Sequence, residues 1–364
     1  MKPFIPTHLL AIQPYKPGRP IEEVERELGL KDTVKVASNE NPLGPSPKAL
    51  AAMAEACARA HRYPEGAAVP LAARLSETLG VASDRLTFGN GSNELIELLV
   101  RIFAGEGDEI VMSEDGFLVY RLVAAAVRAH AVRVPARECR HDLEAMAAAI
   151  GPKTKLVFVA SPNNPTGTIV TRGEWRRFID SVPENVVVAV DQAYREFVDD
   201  PDYADALPDV SERQNVVVLR TFSKIYGLAG LRIGYSVSPP EIADALARIR
   251  QPFNVGSVAQ AAALAALDDE EHFERSRALV AEARERWACA LNELGLRWVP
   301  TQANFILVDV GDGAVVTQAM LERGLIVRPM DPYGMPSKIR ITFGTREEDD
   351  RCLAALAEIV RSRA

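Results

Sequence analysis

Between about residues 70 and 255, short apolar runs rich in β-branched residues alternate with stretches of helical periodicity. "RLTFG" precedes "SNELIELLVRIF", "EIVMS" precedes "FLVYRLVAAAVRA", and "KLVFVAS" precedes a turn and "TRGEWRRFID". This alternation constrains the fold more than any other feature of the chain. Runs such as "VVVAVD" and "VVVLRTFS" have no polar face, so both faces of each strand must be covered. Strands of that kind separated by helices give an α/β fold with a mostly parallel sheet flanked by helices.

The rest of the chain reads differently. Residues 239–295 are largely helical, and a long helix from about Glu270 meets a stop signal at Gly295. Three strand-like runs follow, "NFILVDV", "LIVRP" and "KIRITFG", with helices expected at about 314–323 and 346–363. These suit a smaller α+β domain. The proline-studded start has little periodicity and reads as an arm laid over other parts. The expected division is therefore an arm with part of the small domain (1–45), a large domain (46–254) and a small C-terminal domain (255–364).

Composition bounds the function classes. At 364 residues, with 48% hydrophobic and 25% charged, the chain can bury a sizeable core. Its formal net charge of -8 and the lack of a basic run argue against a nucleic-acid partner. No apolar run approaches the ~18 residues of a membrane span. The start "MKPFIPTHLL" is broken by prolines and does not read as a secretory signal. The four cysteines, Cys57, Cys139, Cys289 and Cys352, are scattered, which suits a reducing cytoplasm. The histidines are equally dispersed, so no metal site is expected.

Chemistry concentrates in a few segments. In "TFSKIYGLAGLRIGY" (221–235), Lys224 sits among Phe222, Ile225, Tyr226 and Leu228. A loop lysine is ordinarily solvated. One desolvated among such neighbours has a lowered pKa and a nucleophilic amine. Arg232 cannot shed its charge, so an enclosed arginine there needs an anion. An aldehyde for the lysine and a phosphate for the arginine point to one molecule, pyridoxal 5′-phosphate.

In "FGNGSNELIELL" (88–99), Gly89 and Gly91 follow a strand and open a helix, and Ser92 adds a hydroxyl. Such a helix start can cradle an anion, or can be a plain turn with a cap. A dinucleotide site uses a related device, but Glu94 stands where its third glycine belongs. Asp191 ends the apolar run "VVVAVD", where open parallel sheets bind ligands. It can hold a protonated pyridine nitrogen or cap a helix. Tyr194 can reach the same ring's phenolic oxygen. In "SPNNPTG" (161–167), the Asn164 amide can do likewise, or the segment is an ordinary turn. Arg328 in "LIVRP" and Arg340 in "KIRITFG" make either surface ion pairs or a two-arginine anion pocket.

Taken together, these segments resemble the fold-type I pyridoxal-phosphate enzymes over nearly the whole chain. Within them the resemblance is to the histidinol-phosphate aminotransferase family. It rests on "SNENPLGPSP", "RYPEG", "GSNELIELL", "SPNNPTG", "DQAYREF", "RTFSKIYGLAGLRIGY", "QPFNVGSVAQAAA", "ANFILV" and "IRITFGTREE". The resemblance implies that Lys224 carries the cofactor covalently and Asp191 pairs with the ring nitrogen. Tyr194 and Asn164 would hold the ring oxygen, and Phe117 would stack on the ring. Ser92, Asn93, Thr221, Ser223 and Arg232 would hold the phosphate. Tyr63 would reach the cofactor phosphate of the other subunit of a homodimer with shared sites. Tyr15, Arg328 and Arg340 would bind the substrate's anionic end.

The implied reaction takes the amino group of histidinol phosphate to 2-oxoglutarate, in histidine biosynthesis. Aromatic amino acids such as phenylalanine or tyrosine are the alternative donors, and a phosphate-retaining decarboxylase is a third reading. Three positions depart from the family pattern. Gln192 stands for a usual acidic residue, Asn93 for a frequent aspartate, and Gly116-Phe117 for a small polar residue and an aromatic.

Overall fold

The computed structural model describes residues 4–14 and 17–363. Strand β1 (Val34–Lys35) belongs to a second layer considered below. The next seven strands form the central sheet: β2 (Leu86–Gly89), β3 (Glu109–Ser113), β4 (His130–Val134), β5 (Thr154–Ala160), β6 (Val187–Asp191), β7 (Val216–Thr221) and β8 (Gly234–Val237). Their order is β2-β8-β7-β6-β5-β3-β4, and only β8 runs antiparallel to its neighbours. The apolar runs are buried on both faces, as their composition requires. Val157, Val188 and Val218 join one core, while Leu156, Val187 and Val217 join another on the opposite face.

The smaller domain adds five strands: β9 (Arg297–Val299), β10 (Phe305–Asp309), β11 (Leu325–Ile326), β12 (Arg328–Pro329) and β13 (Lys338–Thr342). An antiparallel sheet runs β12-β13-β10-β9, and β11 pairs in parallel with β1. The run "LIVRP" is thus divided, its first half pairing with the arm and its second with β13. Trp287, Phe305, Ile341 and Leu356 fill the core beneath. Helix Glu270–Glu293 ends just before Gly295, whose φ of 66° is the left-handed conformation that a helix stop favours. Helices Gly313–Leu321 and Arg346–Arg361 lie close to where periodicity puts them.

The domain boundary falls later than the pattern suggests. Helix Ser257–Leu267, assigned from sequence to the small domain, packs on helices Pro47–Cys57 and Val69–Leu79. Its Ala259, Ala262, Ala263 and Ala266 lie in the large domain's core. Helix Glu270–Glu293 is the first beyond it to turn its buried side chains, Val280, Trp287 and Leu291, into the small domain's core. The handover therefore comes at Asp268–Asp269, where Asp269 caps the long helix by accepting from the His272 N–H.

The N-terminal arm is stitched to the far end of the chain. Val34 and Val36 lie in the small domain's core. The Val36 carbonyl accepts from the Thr342 N–H at 2.8 Å. Further on, the arm lies on the lysine segment. Gly227 (φ 68°) faces the Gly44 carbonyl so closely that no Cβ fits between them.

Candidate active site

The carboxyl ends of β5, β6 and β7, the loop after β2, and the small-domain strands β12 and β13 meet at one cavity of about 390 Å³. An open α/β sheet places its ligand site at such strand ends.

At one end lies a cup for an anion. Helix Ser92–Phe103 begins here, and its N-cap, Gly91, offers no side chain to the first-turn N–H groups. Those N–H groups and the positive end of the helix favour a negative ligand. Ser92, Asn93, Thr221, Ser223 and Arg232 all line this part of the cavity. Arg232 Nη1 lies 3.0 Å from the Ala229 carbonyl and 3.4 Å from Ser223 Oγ. Among the described residues no carboxylate pairs with it. A Cβ at Gly91 would come within 2.5 Å of Arg232 Nη2, so the absence of a side chain makes room for the guanidinium. Glu94, which breaks the dinucleotide pattern, faces elsewhere and accepts from Asn254 Nδ2 at 2.7 Å.

In the middle of the cavity is Lys224. Its Nζ lies 3.4 Å from the Ser38 carbonyl and 5.5 Å from the centre of the Tyr194 ring. Burial lowers its pKa to about 8, and the Arg340 charge adds to that effect while Glu40 opposes it. Near neutral pH a usable fraction of this amine is therefore neutral. Asp191 lies 7% exposed at the end of β6. Its Oδ2 accepts from the Tyr120 hydroxyl at 2.7 Å and its Oδ1 from the Ala193 N–H at 3.1 Å. Burial pushes its pKa up, and those two donors and Lys224 pull the other way. A carboxylate so enclosed gains most from a cation placed against it. Phe117 also lines the cavity, edge-on to Tyr120.

Opposite these stand Asn164 and Tyr194. Arg340 Nη1 donates to Asn164 Oδ1 at 2.5 Å, which leaves the Asn164 NH₂ as the group on offer to the cavity. Tyr194 Oη accepts from Asn39 Nδ2 at 2.9 Å. Arg340 also donates to the Ala37 carbonyl at 2.7 Å. Arg328 and Arg340 are direct cross-strand partners on β12 and β13, 7% and 6% exposed respectively. Like charges set opposite one another in a sheet repel. Burying two of them on the wall of one cavity fits a site that receives an anion.

The residues fit the pyridoxal 5′-phosphate expected from the sequence. The cup suits its phosphate, Asp191 its ring nitrogen, Asn164 and Tyr194 its ring oxygen, and Lys224 its aldehyde. Tyr63, expected to reach the other subunit's cofactor, is 83% exposed outside this cavity and stacks on Phe253 at 4.8 Å. Tyr15 lies outside the described residues. Gln192 turns away from the cavity. Its Oε1 accepts from Arg220 Nη2 at 2.9 Å and its Nε2 donates to Asp205 Oδ1 at 3.1 Å. Asp205 already supplies Arg220 with a carboxylate at 3.1 Å, so a neutral amide serves at position 192.

Sequence reading missed Tyr120, Asn39 and Tyr333. Tyr120 follows Phe117 by three residues, one helical turn, which was the available signal. Asn39 lies in "SNENPLGPSP", which carries no local sign of its partners. Tyr333 lies in a short turn after β12 and lines the cavity.

Known proteins resemble this chain over nearly its whole length. The model of the family described as aminotransferase class I and II matches residues 31–356. The chain is 49% identical over 361 residues to the histidinol-phosphate aminotransferase of Anaeromyxobacter sp. (strain Fw109-5), covering 98% of this chain and 99% of that one. It is 48% identical over 354 residues to the histidinol-phosphate aminotransferase of Moorella thermoacetica, covering 97% and 92%. The crystal structure of histidinol-phosphate aminotransferase from Sinorhizobium meliloti in complex with pyridoxal-5′-phosphate superposes with a TM-score of 0.90 at 31% identity, over 100% of this chain and 99% of that one. Aspartate aminotransferase from Thermus thermophilus shares the fold, with a TM-score of 0.84 at 21% identity over 98% and 99%.

Proposed function

The chain belongs to the aminotransferase class I and II family, and from that premise we propose that it transfers the amino group of histidinol phosphate to 2-oxoglutarate. It is a pyridoxal 5′-phosphate enzyme. Bound in the cavity, the cofactor supplies an aldehyde for the amine and a protonated ring that accepts electron density when the donor's α-proton leaves.

The chain's own residues supply orientation and proton transfer. Asp191, held by Tyr120 and the Ala193 N–H, keeps a negative charge where the ring nitrogen needs one. Lys224 would be the covalent anchor for the cofactor, and as a free amine its lowered pKa would suit it to act as general base toward the donor's α-proton. Ser92, Asn93, Thr221, Ser223 and Arg232 would hold the phosphate, and Phe117 would cover the ring.

The observation that carries the choice of donor is the buried cross-strand pair Arg328 and Arg340 in the same cavity as Lys224. A phosphate monoester offers close to two charges and three oxygens, enough for both arginines. A carboxylate is matched by one. Measuring kcat/KM for histidinol phosphate, phenylalanine and tyrosine with 2-oxoglutarate as acceptor tests this. Preference for an aromatic amino acid would reject histidinol phosphate as the donor.

We also read the active unit as a cytoplasmic homodimer whose sites are shared through Tyr63. Its support is the exposed Tyr63–Phe253 stack, which an isolated chain leaves in water. Mixing Lys224→Ala with Tyr63→Ala subunits should regenerate activity in hybrid dimers. If demonstrated subunit exchange restores none, the sites are not shared.

A further inference from the structure

Asn39 is 1% exposed, with φ of 55° in the left-handed region that asparagine tolerates better than most residues. All of its polar groups are engaged. Its backbone N–H donates to Thr342 Oγ1 at 2.9 Å, and its carbonyl accepts from Asn304 Nδ2 at 3.2 Å. Its Oδ1 accepts from the Thr342 hydroxyl at 3.0 Å, and its Nδ2 donates to Tyr194 Oη at 2.9 Å.

An amide side chain can face either way, and its neighbours decide the sense. Here they leave one choice. Thr342 is 4% exposed and, among the described residues, has no acceptor for its proton other than Asn39 Oδ1, so a flipped amide would strand that proton. The sense that avoids this turns the Asn39 NH₂ toward Tyr194. An NH₂ group cannot accept, so Tyr194 Oη must. Among the described residues no protein acceptor takes the Tyr194 proton, and Tyr194 lines the cavity. Its hydroxyl is therefore set to donate into the site.

Resting on the reading that the cavity takes pyridoxal 5′-phosphate, we propose that Asn39 is a positioning residue, oriented by Thr342, that keeps Tyr194 a hydrogen-bond donor toward the cofactor's ring oxygen. That oxygen is stabilised as an anion by a donor and repelled by a lone pair. The second ring-oxygen contact is set in the same way, because Arg340 occupies Asn164 Oδ1 and leaves the NH₂ to donate. Arg340 and Thr342 are two residues apart on β13, so they share a face of that strand. One small-domain strand thus fixes the donor sense of both groups.

The test compares wild type, Asn39→Asp, Asn39→Gly, Tyr194→Phe and the Asn39→Asp/Tyr194→Phe double variant. Each is loaded with pyridoxal 5′-phosphate and its visible absorption titrated against pH. Cofactor affinity is measured on the stripped proteins. Aspartate tolerates the same backbone and still accepts from Thr342, but it takes the Tyr194 proton instead of donating to its oxygen. The pKa of the absorbance change should rise by about 1–3 units, and cofactor affinity should fall. Glycine keeps both backbone bonds and leaves Tyr194 free to donate, so the shift should stay below about half a unit, a small fraction of that range. In the Tyr194→Phe background Asn39→Asp should add less than half of its single-variant shift.

An equal shift in both backgrounds would mean that the new charge acts alone and would overturn the proposal. So would unmoved titrations with glycine the more destabilising change, the mark of a mere clasp. If Asn39→Asp does not fold, Thr342→Val takes its place, with a smaller rise in the same direction expected and no rise overturning the proposal. Wild type that takes up no cofactor would sink the underlying reading. Wild type that loads normally while the variants titrate unchanged sinks the Asn39 role alone.

Discussion

The two ends of the cavity are built by different means. The cofactor end comes from the tips of β2, β5, β6 and β7 and from one helix start, with its groups in short contiguous segments such as 89–93, 191–194 and 221–232. The end proposed for substrate comes from two strands, β12 and β13, brought face to face with the arm from some 300 residues away in sequence, as in the Asn39–Thr342 bonds with a separation of 303. Backbone ends supply the first, and tertiary pairing supplies the second. Damage at the cofactor end should therefore abolish chemistry, whereas damage at the substrate end should re-sort substrates.

The largest effect belongs to the cofactor end. Lys224→Ala should lower transamination by roughly 10⁴-fold or more while cofactor still binds. Borohydride reduction of wild type followed by peptide mapping should label Lys224. A label on another lysine would break the assignment.

That segment was legible because its chemistry is local. A lysine among apolar neighbours and an arginine eight residues on declare themselves in a line of sequence, and Asp191 sits where an apolar strand stops. Asn39 was not legible, because its meaning depends on Thr342 and Tyr194, which only the folded chain brings near. Tyr120 looked like one more residue on the apolar face of a helix, and only the packing shows its hydroxyl on Asp191. The alanine run 261–263 fits either core, so the pattern could not say to which domain helix Ser257–Leu267 belongs. Strands β2, β3, β5, β6 and β7 of the central sheet were readable as apolar runs, whereas the half-exposed edge strand β4 and the short antiparallel β8 were not.

At the substrate end, Arg340→Ala should lower kcat/KM about 10- to 100-fold for histidinol phosphate and for 2-oxoglutarate alike, the loss of one or more charge-assisted bonds. Arg328→Ala should weaken the phosphorylated donor by about tenfold and 2-oxoglutarate less. Equal losses for phenylalanine, histidinol phosphate and 2-oxoglutarate in Arg328→Ala would erase the contrast between the two arginines.

Tyr120→Phe sharpens the comparison from the other side. It removes one hydrogen bond to Asp191 and nothing at the substrate end. Cofactor affinity should fall by several-fold to about tenfold, the scale of one bond to a charged group, and the ratio of kcat/KM between donors should stay unchanged. A changed donor ratio would show that the two ends are not separable.

The smallest effect is on stability. The folded protein lowers the Lys224 pKa to about 8, from an unfolded value near 10.5, so between those values the unfolded chain binds more protons. Stability of the cofactor-free protein then gains a contribution that rises with pH across that window, and below it the full penalty of enclosing an ammonium group remains. Lys224→Ala lacks that penalty. Its melting temperature should exceed that of cofactor-free wild type near pH 7, with the gap narrowing above about pH 8. A gap independent of pH would mean that the lysine is not held in so dry a place.

The stitching of the arm to β11, β13 and the lysine segment also sets an order of assembly. The arm leaves the ribosome before the strands that hold it at Val34–Val36 and Asn39, which are made some 300 residues later. The large domain can bury its sheet as it emerges. The arm can meet the lysine segment and β11 earlier, but its bonds at the Val36 carbonyl and at Asn39 wait for Thr342, and closing so long a loop is entropically unfavourable. A nascent chain halted at residue 330 would contain Lys224, Asp191, Arg232 and Arg328 while lacking β13, and with it Arg340 and Thr342. The cross-strand pair Arg328–Arg340 is therefore completed only once residue 340 has been made, after every residue of the anion cup.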